Sequence, residues 1–241
     1  KQVKYVFFFT GVTGPADESI KNPGKFIEGN EINLTNLLKE ISVLKEKPRV
    51  IFPSTRLVYK GLENKSISED SELQAKTVYA VNKIACENYL DLYHRCFGID
   101  YTILRISLPY GSQVFQENLS HGVMSKLINS AKNKNNLEIY GKGNQKGSFI
   151  HISDLTNVII KVSFLDSTRN NIYNAPSGNI LSMKDVIVAI AIKYGVDAVN
   201  TPWPEISLFA EHGDIIFDSS KLDKIIKYEC KYDFYNWLEQ T

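Results

Sequence analysis

The chain has 241 residues, 43% of them hydrophobic, and carries a formal net charge of +1 at pH 7. This length allows one large domain, or a core with a small second lobe. The balanced charge gives no basic surplus of the kind that nucleic-acid-binding proteins use, and the apolar runs are too short for a membrane span. Three cysteines without paired spacing argue against a disulfide framework or a cysteine zinc site, so we predict a cytoplasmic protein without a metal centre.

The N-terminal segments alternate between strand and helix character. An apolar, aromatic-rich run at 3–9 predicts a strand. The polar stretch 14–25 contains Pro15 and Pro23 and predicts a loop. Apolar residues with helical periodicity then predict a helix at 31–45.

The same alternation continues through residue 106. A second short strand is predicted at 49–53 and a polar loop at 54–71. The segment 78–97 predicts a long amphipathic helix ended by Gly98, and 101–106 predicts a third strand. This order of elements predicts an α/β fold with a parallel sheet.

Beyond residue 111 the predicted elements are shorter and mixed. They are helix 123–132, strands 137–140 and 148–152, helix 153–164, strand 171–174 and helix 182–194. Ser153 and Ser182 stand where helix N-cap residues are expected.

Tyr79 and Lys83 lie four residues apart near the start of the predicted helix 78–97, so both side chains project from one helical face. A nearby ammonium group favours the phenolate form of a tyrosine, whose ordinary pKa is about 10. Lowering that pKa by about 3 corresponds to roughly 4 kcal/mol and would yield a base for a sugar hydroxyl. By itself this spacing is equally expected of an amphipathic helix with a half-buried tyrosine and an extended lysine.

The strand at 49–53 leads into Ser54-Thr55-Arg56-Leu57-Val58-Tyr59. Together with Tyr79 and Lys83, this arrangement resembles the extended short-chain dehydrogenase/reductase superfamily, in its NAD-dependent nucleotide-sugar epimerase/dehydratase branch (UDP-glucose 4-epimerase-like). The resemblance implies that Thr55 hydrogen-bonds the reacting sugar oxygen and that Tyr79 is the acid/base. It also implies that Lys83 holds the nicotinamide ribose and tunes Tyr79. Lys60 departs from the family pattern, which has a glycine there.

Further motifs in the family order extend the resemblance over nearly the whole chain. They are Thr10-Gly11 after the first strand, Asn30 before the next helix, the Leu104–Gly111 turn, the Gly141–Asp154 stretch and the Phe217–Leu222 element. The implied cofactor is NAD, with NADP not excluded, and the implied contacts are Thr10, Gly11, Asn30, Pro53, Tyr79, Lys83 and Pro109. Asn30 is equally expected as a helix cap, and His151 as a packed strand residue.

The resemblance implies a nucleotide-sugar substrate, with contacts from Thr55, Arg56, Leu108, His121 and Lys146. Several positions depart from the family. Leu108 replaces an asparagine near the sugar phosphate. Gly147-Ser148 replace an Arg-Asp pair whose arginine binds the diphosphate, and Lys146 is the nearest substitute for that arginine. Arg56-Leu57 replace the Asp-Glu of the 4,6-dehydratases, which argues against dehydration by that route.

The resemblance implies a Rossmann-like doubly wound sheet with its N-terminal half missing, followed by a small α+β substrate lobe. We assign 1–111 to the partial NAD-binding domain and 112–241 mainly to the lobe, with 148–165 returning to the core. The family's glycine-rich loop is absent from the sequence, and roughly 60 to 70 residues of the cofactor half are expected upstream. Without that segment the pyrophosphate has no helix N-terminus to bind, so we expect that the 241 residues alone do not bind NAD. The sequence is then either incomplete or a natural remnant.

The main functional interpretation is an NAD-dependent nucleotide-sugar epimerase that oxidises a sugar to a keto intermediate and reduces it again, in polysaccharide precursor synthesis. The alternatives are a nucleotide-sugar reductase or dehydratase, and a non-catalytic remnant that binds a partner. The helices predicted at 31–45 and 78–97 match the pair that forms the dimer interface in the superfamily, which predicts a homodimer.

Overall fold

The computed structural model describes residues 2–111 and 122–241. Within these ranges the strands are β1 (Tyr5–Phe7), β2 (Arg49–Thr55), β3 (Ser66–Ile67), β4 (Tyr101–Ile106), β5 (Leu108–Tyr110), β6 (Leu137–Tyr140), β7 (Lys146–His151), β8 (Asn171–Asn174), β9 (Asn179–Ser182), β10 (Ala198–Thr201) and β11 (Ile216–Phe217). The α-helices are α1 (Ala16–Lys21), α2 (Pro23–Ile27), α3 (Asn33–Ser42), α4 (Val78–Phe97), α5 (Val123–Lys132), α6 (Ile152–Phe164), α7 (Met183–Tyr194), α8 (Glu205–Phe209), α9 (Ser220–Ile226) and α10 (Phe234–Glu239). Shorter helical segments are the π-helix Glu28–Ile32 and the 3₁₀ turns Arg56–Val58 and Asp166–Thr168.

The main sheet has four parallel strands in the order β1-β2-β4-β8. Its β2 and β4 strands are almost wholly buried, as expected for a parallel sheet covered on both faces. On one face, Leu34 and Leu38 of α3 and Leu90 of α4 pack against the sheet. On the other, Val158 of α6 and Leu222 of α9 do so. The prediction of an α/β fold with a parallel sheet is confirmed.

A second hydrophobic cluster lies in the C-terminal part of the chain. It joins apolar residues of β5, β6, α5, α7 and α10. The strands β5, β7 and β9 form a mixed three-stranded sheet here, and β6 pairs with β10. The chain returns to the main sheet through α6, β8 and α9, whereas residues 148–151 of the predicted range 148–165 belong to β7 of the three-stranded sheet. The domain boundary after residue 111 stays a prediction.

The long helix α4 forms over the predicted residues because both of its ends are specified by sequence. Thr77 is the N-cap, and its hydroxyl oxygen accepts a hydrogen bond of 3.1 Å from the Ala80 backbone N–H. Gly98 ends the helix in the left-handed region, at φ 67°. Since the start of α4 is fixed in this way, Tyr79 lies in its first turn.

The prediction of a loop at 14–25 is wrong, because this stretch forms the helices α1 and α2. Pro23 is tolerated at the first position of α2, where a backbone N–H has no partner within the helix. In α1, Asp17 stands in the first turn and Lys21 in the last, an order that the helix dipole favours. The proline-rich composition of 14–25 predicts a loop. The positions of Pro23, Asp17 and Lys21 within the helical turns are nevertheless compatible with helices.

The predicted borders of several other elements need correction. The first strand is Tyr5–Phe7, shorter than 3–9, and the helical run that includes α3 ends at Ser42. Ser153 lies inside α6, whose N-cap is His151; the His151 Nδ1 accepts a 3.2 Å hydrogen bond from the Ser153 N–H. Ser182 does cap α7 as predicted.

Within residues 2–111 and 122–241, the structure has no helix of the length and apolar character that crossing a bilayer requires. Over the same residues no group of three or more His, Cys, Asp or Glu side chains is arranged to hold a metal ion. Cys86, Cys96 and Cys230 are all free. The cytoplasmic location stays a prediction.

A buried ion pair connects α4 with the centre of the sheet. Arg105 of β4 donates from Nη2 to Glu87 Oε2 of α4 at 2.7 Å and from Nε to Glu87 Oε1 at 3.0 Å. The two side chains are only 3% and 4% exposed. Ser54 of β2 also donates to Glu87, and Arg105 Nη1 donates to the Tyr59 hydroxyl at 2.7 Å. This network joins two strands and one helix at a single point.

We expect Glu87→Ala to lower the free energy of unfolding by about 3–5 kcal/mol, because it leaves the Arg105 guanidinium buried without its counter-charge. Arg95→Ala is the control on the same helix, since Arg95 forms an exposed ion pair with Asp91. The control is expected to cost less than about 1 kcal/mol. Urea unfolding measures both, and equal effects of the two substitutions would contradict the role of the buried pair.

Candidate active site

The predicted catalytic residues meet at the carboxyl edge of the main sheet. β2 ends there with Thr55, and α4 begins beside it with Val78, so that Tyr79 faces the end of β2. Open α/β sheets bind their ligands at this edge, beyond the carboxyl ends of the strands. The structure brings Thr55, Tyr79 and Lys83 together, as predicted.

Two threonine side chains act on the Tyr79 phenol. Hydrogen bonding from the side chains of Thr55 and Thr13 acts to lower its pKa. The Thr55 hydroxyl oxygen also accepts a 3.3 Å hydrogen bond from the Leu57 N–H, which leaves the Thr55 O–H free to donate. Tyr79 thus faces one hydroxyl from the end of β2 and one from the loop that follows β1.

Lys83 lies beneath Tyr79, on the same face of α4. Its ammonium group donates a 2.7 Å hydrogen bond to the Pro53 carbonyl oxygen. It stands 4.4 Å from the Phe52 ring centroid and 5.7 Å from the Tyr79 ring centroid. The side chain is buried, and one hydrogen bond uses only one of the three donors of an ammonium group.

The electrostatics of this pair differ from the sequence-based expectation. Burial raises the pKa of Tyr79 to about 12 and outweighs the two threonines that lower it. Burial also lowers the pKa of Lys83 to about 8, against the opposing effects of Cys86 and Glu87. The expected lowering of the Tyr79 pKa is therefore not supplied by these protein groups. In the protein alone, Tyr79 is a neutral phenol at pH 7.

Asn30 holds the loop after β1 in place. Its side-chain oxygen accepts from the Val12 N–H at 3.0 Å, and its amide nitrogen donates to the Val12 carbonyl at 3.0 Å. A β-carbon at Gly11 would lie 2.6 Å from the Asn30 side-chain oxygen, so the close approach of this loop requires glycine. Asn30 lies within the π-helix Glu28–Ile32, and the interpretation as a helix cap is wrong.

The other predicted cofactor contacts also lie at the carboxyl edge. Thr10 and Gly11 are exposed in the loop that follows β1, Pro53 lies in β2, and Pro109 is exposed in β5. The Asn30 amide makes two bonds to Val12, which gives it an indirect role through the position of Gly11 and Thr13. Direct contact of these residues with NAD stays a prediction.

The predicted substrate residues are not all brought together. Arg56 opens the 3₁₀ turn next to Thr55. Leu108 is buried in the C-terminal hydrophobic cluster, against the position of Gly147. Lys146 projects from the opposite face of β7, because neighbouring strand residues alternate, and its Nζ donates to the Asn64 side-chain oxygen at 3.2 Å. The structure thus separates Lys146 from the site where Arg was expected, and His121 lies outside the described residues.

Thr13 is a site residue that sequence reasoning missed. A usable signal was present: Thr13 is a hydroxyl residue just past the carboxyl end of a strand, where site residues of α/β sheets collect. His151 was interpreted correctly as a packed residue, since its ring stacks on Tyr232 with 4.1 Å between centroids.

The sequence profile of the NAD dependent epimerase/dehydratase family matches residues 1–175. The chain belongs to this family. The resemblance stated from the Thr55, Tyr79 and Lys83 motifs is thereby confirmed. The Rossmann-like class of the fold is confirmed by the likeness to solved structures of epimerases.

Relatives of this family member differ in activity. A putative UDP-glucose 4-epimerase of Methanocaldococcus jannaschii is 24% identical over 180 residues, 73% of this chain and 57% of that protein. A dTDP-4-dehydro-6-deoxyglucose reductase of Escherichia coli is 28% identical over 151 residues, 63% of this chain and 47% of that protein. The chain spans about half the length of these curated relatives. The UDP-N-acetylglucosamine 4-epimerase of Methanobrevibacter ruminantium, solved with UDP-N-acetylmuramic acid, matches at TM-score 0.84 and 24% identity over 99% of this chain and 75% of that one.

A further polar group lies close to Arg56 in this family member. His212 is 8% exposed, and its Nε2 has no hydrogen-bond partner within residues 2–111 and 122–241. Burial lowers the pKa of His212 to about 4, and the positive charges of Arg56 and Lys76 act in the same direction. Backbone groups of Gln74 and Ala210 oppose this shift. The imidazole is therefore neutral at pH 7.

Acidification is expected to destabilise the fold through His212. The ordinary pKa of 6.5 applies to the unfolded chain and about 4 to the folded one. The unfolded state therefore gains a proton first, and stability present above pH 6.5 is lost as the pH falls towards 4. This amounts to about 2 kcal/mol between pH 7 and pH 5.

His212→Gln should remove this part of the pH dependence. Urea unfolding of both proteins at pH 7 and pH 5 measures it, and the values at pH 7 give the direct cost of the substitution. If the variant loses as much stability as the natural protein between the two pH values, His212 is not a neutral buried imidazole.

Proposed function

We propose that this chain carries the catalytic site of an NAD-dependent nucleotide-sugar epimerase. The observation that supports this most strongly is the contact of the Tyr79 phenol with the Thr55 hydroxyl, above the Lys83 ammonium group. A phenol, a hydroxyl donor and a buried cation in one place are suited to moving a proton on and off a sugar hydroxyl. The family membership of the chain agrees with this chemistry.

In this proposal, Thr55 donates a hydrogen bond to the reacting sugar oxygen and fixes its position. Tyr79, as phenolate, takes the proton of that hydroxyl group and returns it in the second half of the reaction. Lys83 stabilises the phenolate, and its fixed bond to the Pro53 carbonyl sets the direction of its remaining donors. Because burial alone keeps Tyr79 protonated, a further positive charge beside the ring is required to form the base.

The residues around Tyr79 fit a nicotinamide cofactor. Lys83 is buried and retains two donors that suit ribose hydroxyl groups, and Gly11 lacks the side chain that would meet Asn30. We assign Tyr79 and Lys83 to the nicotinamide ribose, with Thr10, Gly11, Asn30, Pro53 and Pro109 around it. NAD, when bound, accepts the hydride from the sugar carbon and supplies the positive ring charge. NADP is an open alternative.

Arg56 and Leu57 favour epimerisation over 4,6-dehydration. Elimination of water from a sugar needs an acid and a base beside the reacting carbons, and neither residue has a carboxyl group. The reductase alternative uses the same Tyr79 and Lys83. It differs in consuming reduced cofactor, whereas an epimerase returns the hydride to its own substrate.

The assembly of the whole protein belongs to the same proposal. We propose α3 and α4 as the interface of a homodimer. Val43, directly after α3, and Val81 of α4 are more than half exposed. Apolar side chains at such positions are compatible with burial by a second copy. The homodimer and the cytoplasmic location stay predictions.

Tyr79→Phe is expected to lower kcat of the full-length natural protein by roughly 10²- to 10⁴-fold, because it removes the proton acceptor and leaves the ring in place. The assay follows interconversion of sugar epimers, with free NADH recorded in parallel to detect a net reduction. Tyr93→Phe is the matched control, since Tyr93 lies on the same helix with its ring against Phe97. Normal turnover by Tyr79→Phe would refute the proposed role.

Thr13→Val tests the second hydroxyl contact of Tyr79. Hydrogen bonding from Thr13 acts to lower the pKa of Tyr79, so its loss should raise that pKa. The base would then form only at higher pH, and the acidic limb of the pH profile of kcat should move upward. A uniform fall in kcat without movement of this limb would assign Thr13 a role in loop packing alone.

A further inference from the structure

Arg56 is held rigidly beside the proposed catalytic residue Thr55. It opens the 3₁₀ turn Arg56–Val58, for which Thr55 is the N-cap. The Thr55 hydroxyl oxygen accepts from the Leu57 N–H at 3.3 Å, so one short turn fixes both residues. The backbone of Arg56 is therefore fixed directly next to the residue that we propose to contact the reacting sugar.

Arg56 differs from the other arginines of the chain in its lack of partners. Within residues 2–111 and 122–241 its partly buried side chain forms no hydrogen bond and no ion pair. Each of the other arginines is engaged: Arg49 with Thr102 and Thr168, Arg95 with Asp91, Arg105 with Glu87, and Arg169 with Asp100 and Asp166. The N–H donors of the Arg56 guanidinium are therefore unused among the residues that the structure describes.

The surroundings of Arg56 do not neutralise it. Glu211 is the acidic group that acts on Arg56, at a distance beyond an ion pair, and its Oε1 accepts a 2.8 Å hydrogen bond from the Gly213 N–H. Lys76 lies in the same group and donates to the Glu211 backbone carbonyl. His212 is uncharged, and its buried Nε2 is without a partner among the described residues. This neighbourhood therefore contains two cations and one carboxylate.

An arginine in this state is suited to an oxyanion ligand. Partial burial without a counter-charge costs stability, and a ligand carboxylate would offset this by accepting two parallel N–H bonds from the planar guanidinium. A diphosphate has similar oxygens. The position of Arg56 directly after Thr55 favours a group on the reacting sugar ring over the diphosphate, which is linked to the anomeric oxygen.

We propose that the site selects a nucleotide sugar whose sugar ring bears a carboxylate, and that Arg56 binds this carboxylate. This rests on the proposed function, because it takes Thr55 as the contact of the reacting sugar. Arg56 is here a specificity-determining residue, with Lys76 contributing positive potential beside it.

Isothermal titration of the full-length natural protein, with NAD present, tests the proposal. The probes are UDP-glucuronate and UDP-glucose, which share the nucleotide and diphosphate and differ at the sugar carboxylate. We expect tighter binding of UDP-glucuronate. Arg56→Gln should weaken that binding by roughly 10- to 100-fold and change UDP-glucose binding by less than about 3-fold. Arg56→Lys should fall between, because an ammonium group keeps the charge and loses the fork.

Arg95→Gln is the matched control, since it removes an exposed arginine of α4 and should leave both affinities unchanged. Urea unfolding of Arg56→Gln checks that the variant is folded. Three results would overturn the proposal: no binding of UDP-glucuronate, equal affinity for the two sugars, or an equal loss for both in Arg56→Gln. The last result would assign Arg56 to the diphosphate.

The same measurements separate this proposal from the proposed function. Tyr79→Phe should keep the affinity for UDP-glucuronate while losing turnover. If the acidic sugar binds through Arg56 but the natural protein turns over no sugar, only the proposed catalysis fails. A different outcome is that neutral nucleotide sugars are epimerised and Arg56→Gln changes neither their affinity nor that of UDP-glucuronate. In that case only the carboxylate assignment fails.

Discussion

The position of the candidate catalytic residues depends on the buried ion pair between Arg105 and Glu87. Glu87 follows Lys83 by four residues, and Lys83 follows Tyr79 by four, so all three project from one face of α4. Arg105 fixes Glu87 through two bonds, and Ser54 donates to the same carboxylate. Since Ser54 immediately precedes Thr55, one carboxylate sets the helix and the strand end against each other. A small shift of α4 along the sheet would separate the Tyr79 phenol from Thr55.

The same burial that makes this arrangement rigid opposes the chemistry proposed for it. Removing Tyr79 from water raises its pKa, and removing Lys83 from water lowers its pKa, so each effect favours the uncharged form. Thr55 and Thr13 oppose the first effect only in part. The protein thus holds the phenol in place without ionising it. In an active protein, ionisation would be coupled to the arrival of a positively charged ligand, which would restrict the base to the occupied site.

The parts of the fold that sequence predicted well are those with local signals. Thr77 and Gly98 define α4 through capping, and the apolar run of β2 defines a buried strand. The prediction of a loop at 14–25 is wrong because the effect of a proline depends on its position. Proline disrupts a helix interior, but Pro23 lies at the first position of α2, where proline is favoured. The Arg105–Glu87 pair and the bonds from Asn30 to Val12 join residues 18 apart in sequence, across separate elements. Periodicity within a single element contains no information about such contacts.

The substrate side shows why a neighbouring residue does not replace a missing one in a strand. Lys146 is adjacent to Gly147 in sequence, yet it projects to the other face of β7 and bonds Asn64, while the Gly147 position faces Leu108. Alternation along a strand therefore removes Lys146 from the place where an arginine was expected. Arg56, in contrast, lies in a 3₁₀ turn beside Thr55, where direction is set by the turn and its cap. The site thus lacks a cation at position 147 in β7 and has one at Arg56. The part of a substrate whose negative charge is best bound changes accordingly. This geometry favours binding of a negative charge on the sugar ring over binding of the diphosphate, because Gly147 has no side chain with which to contact it.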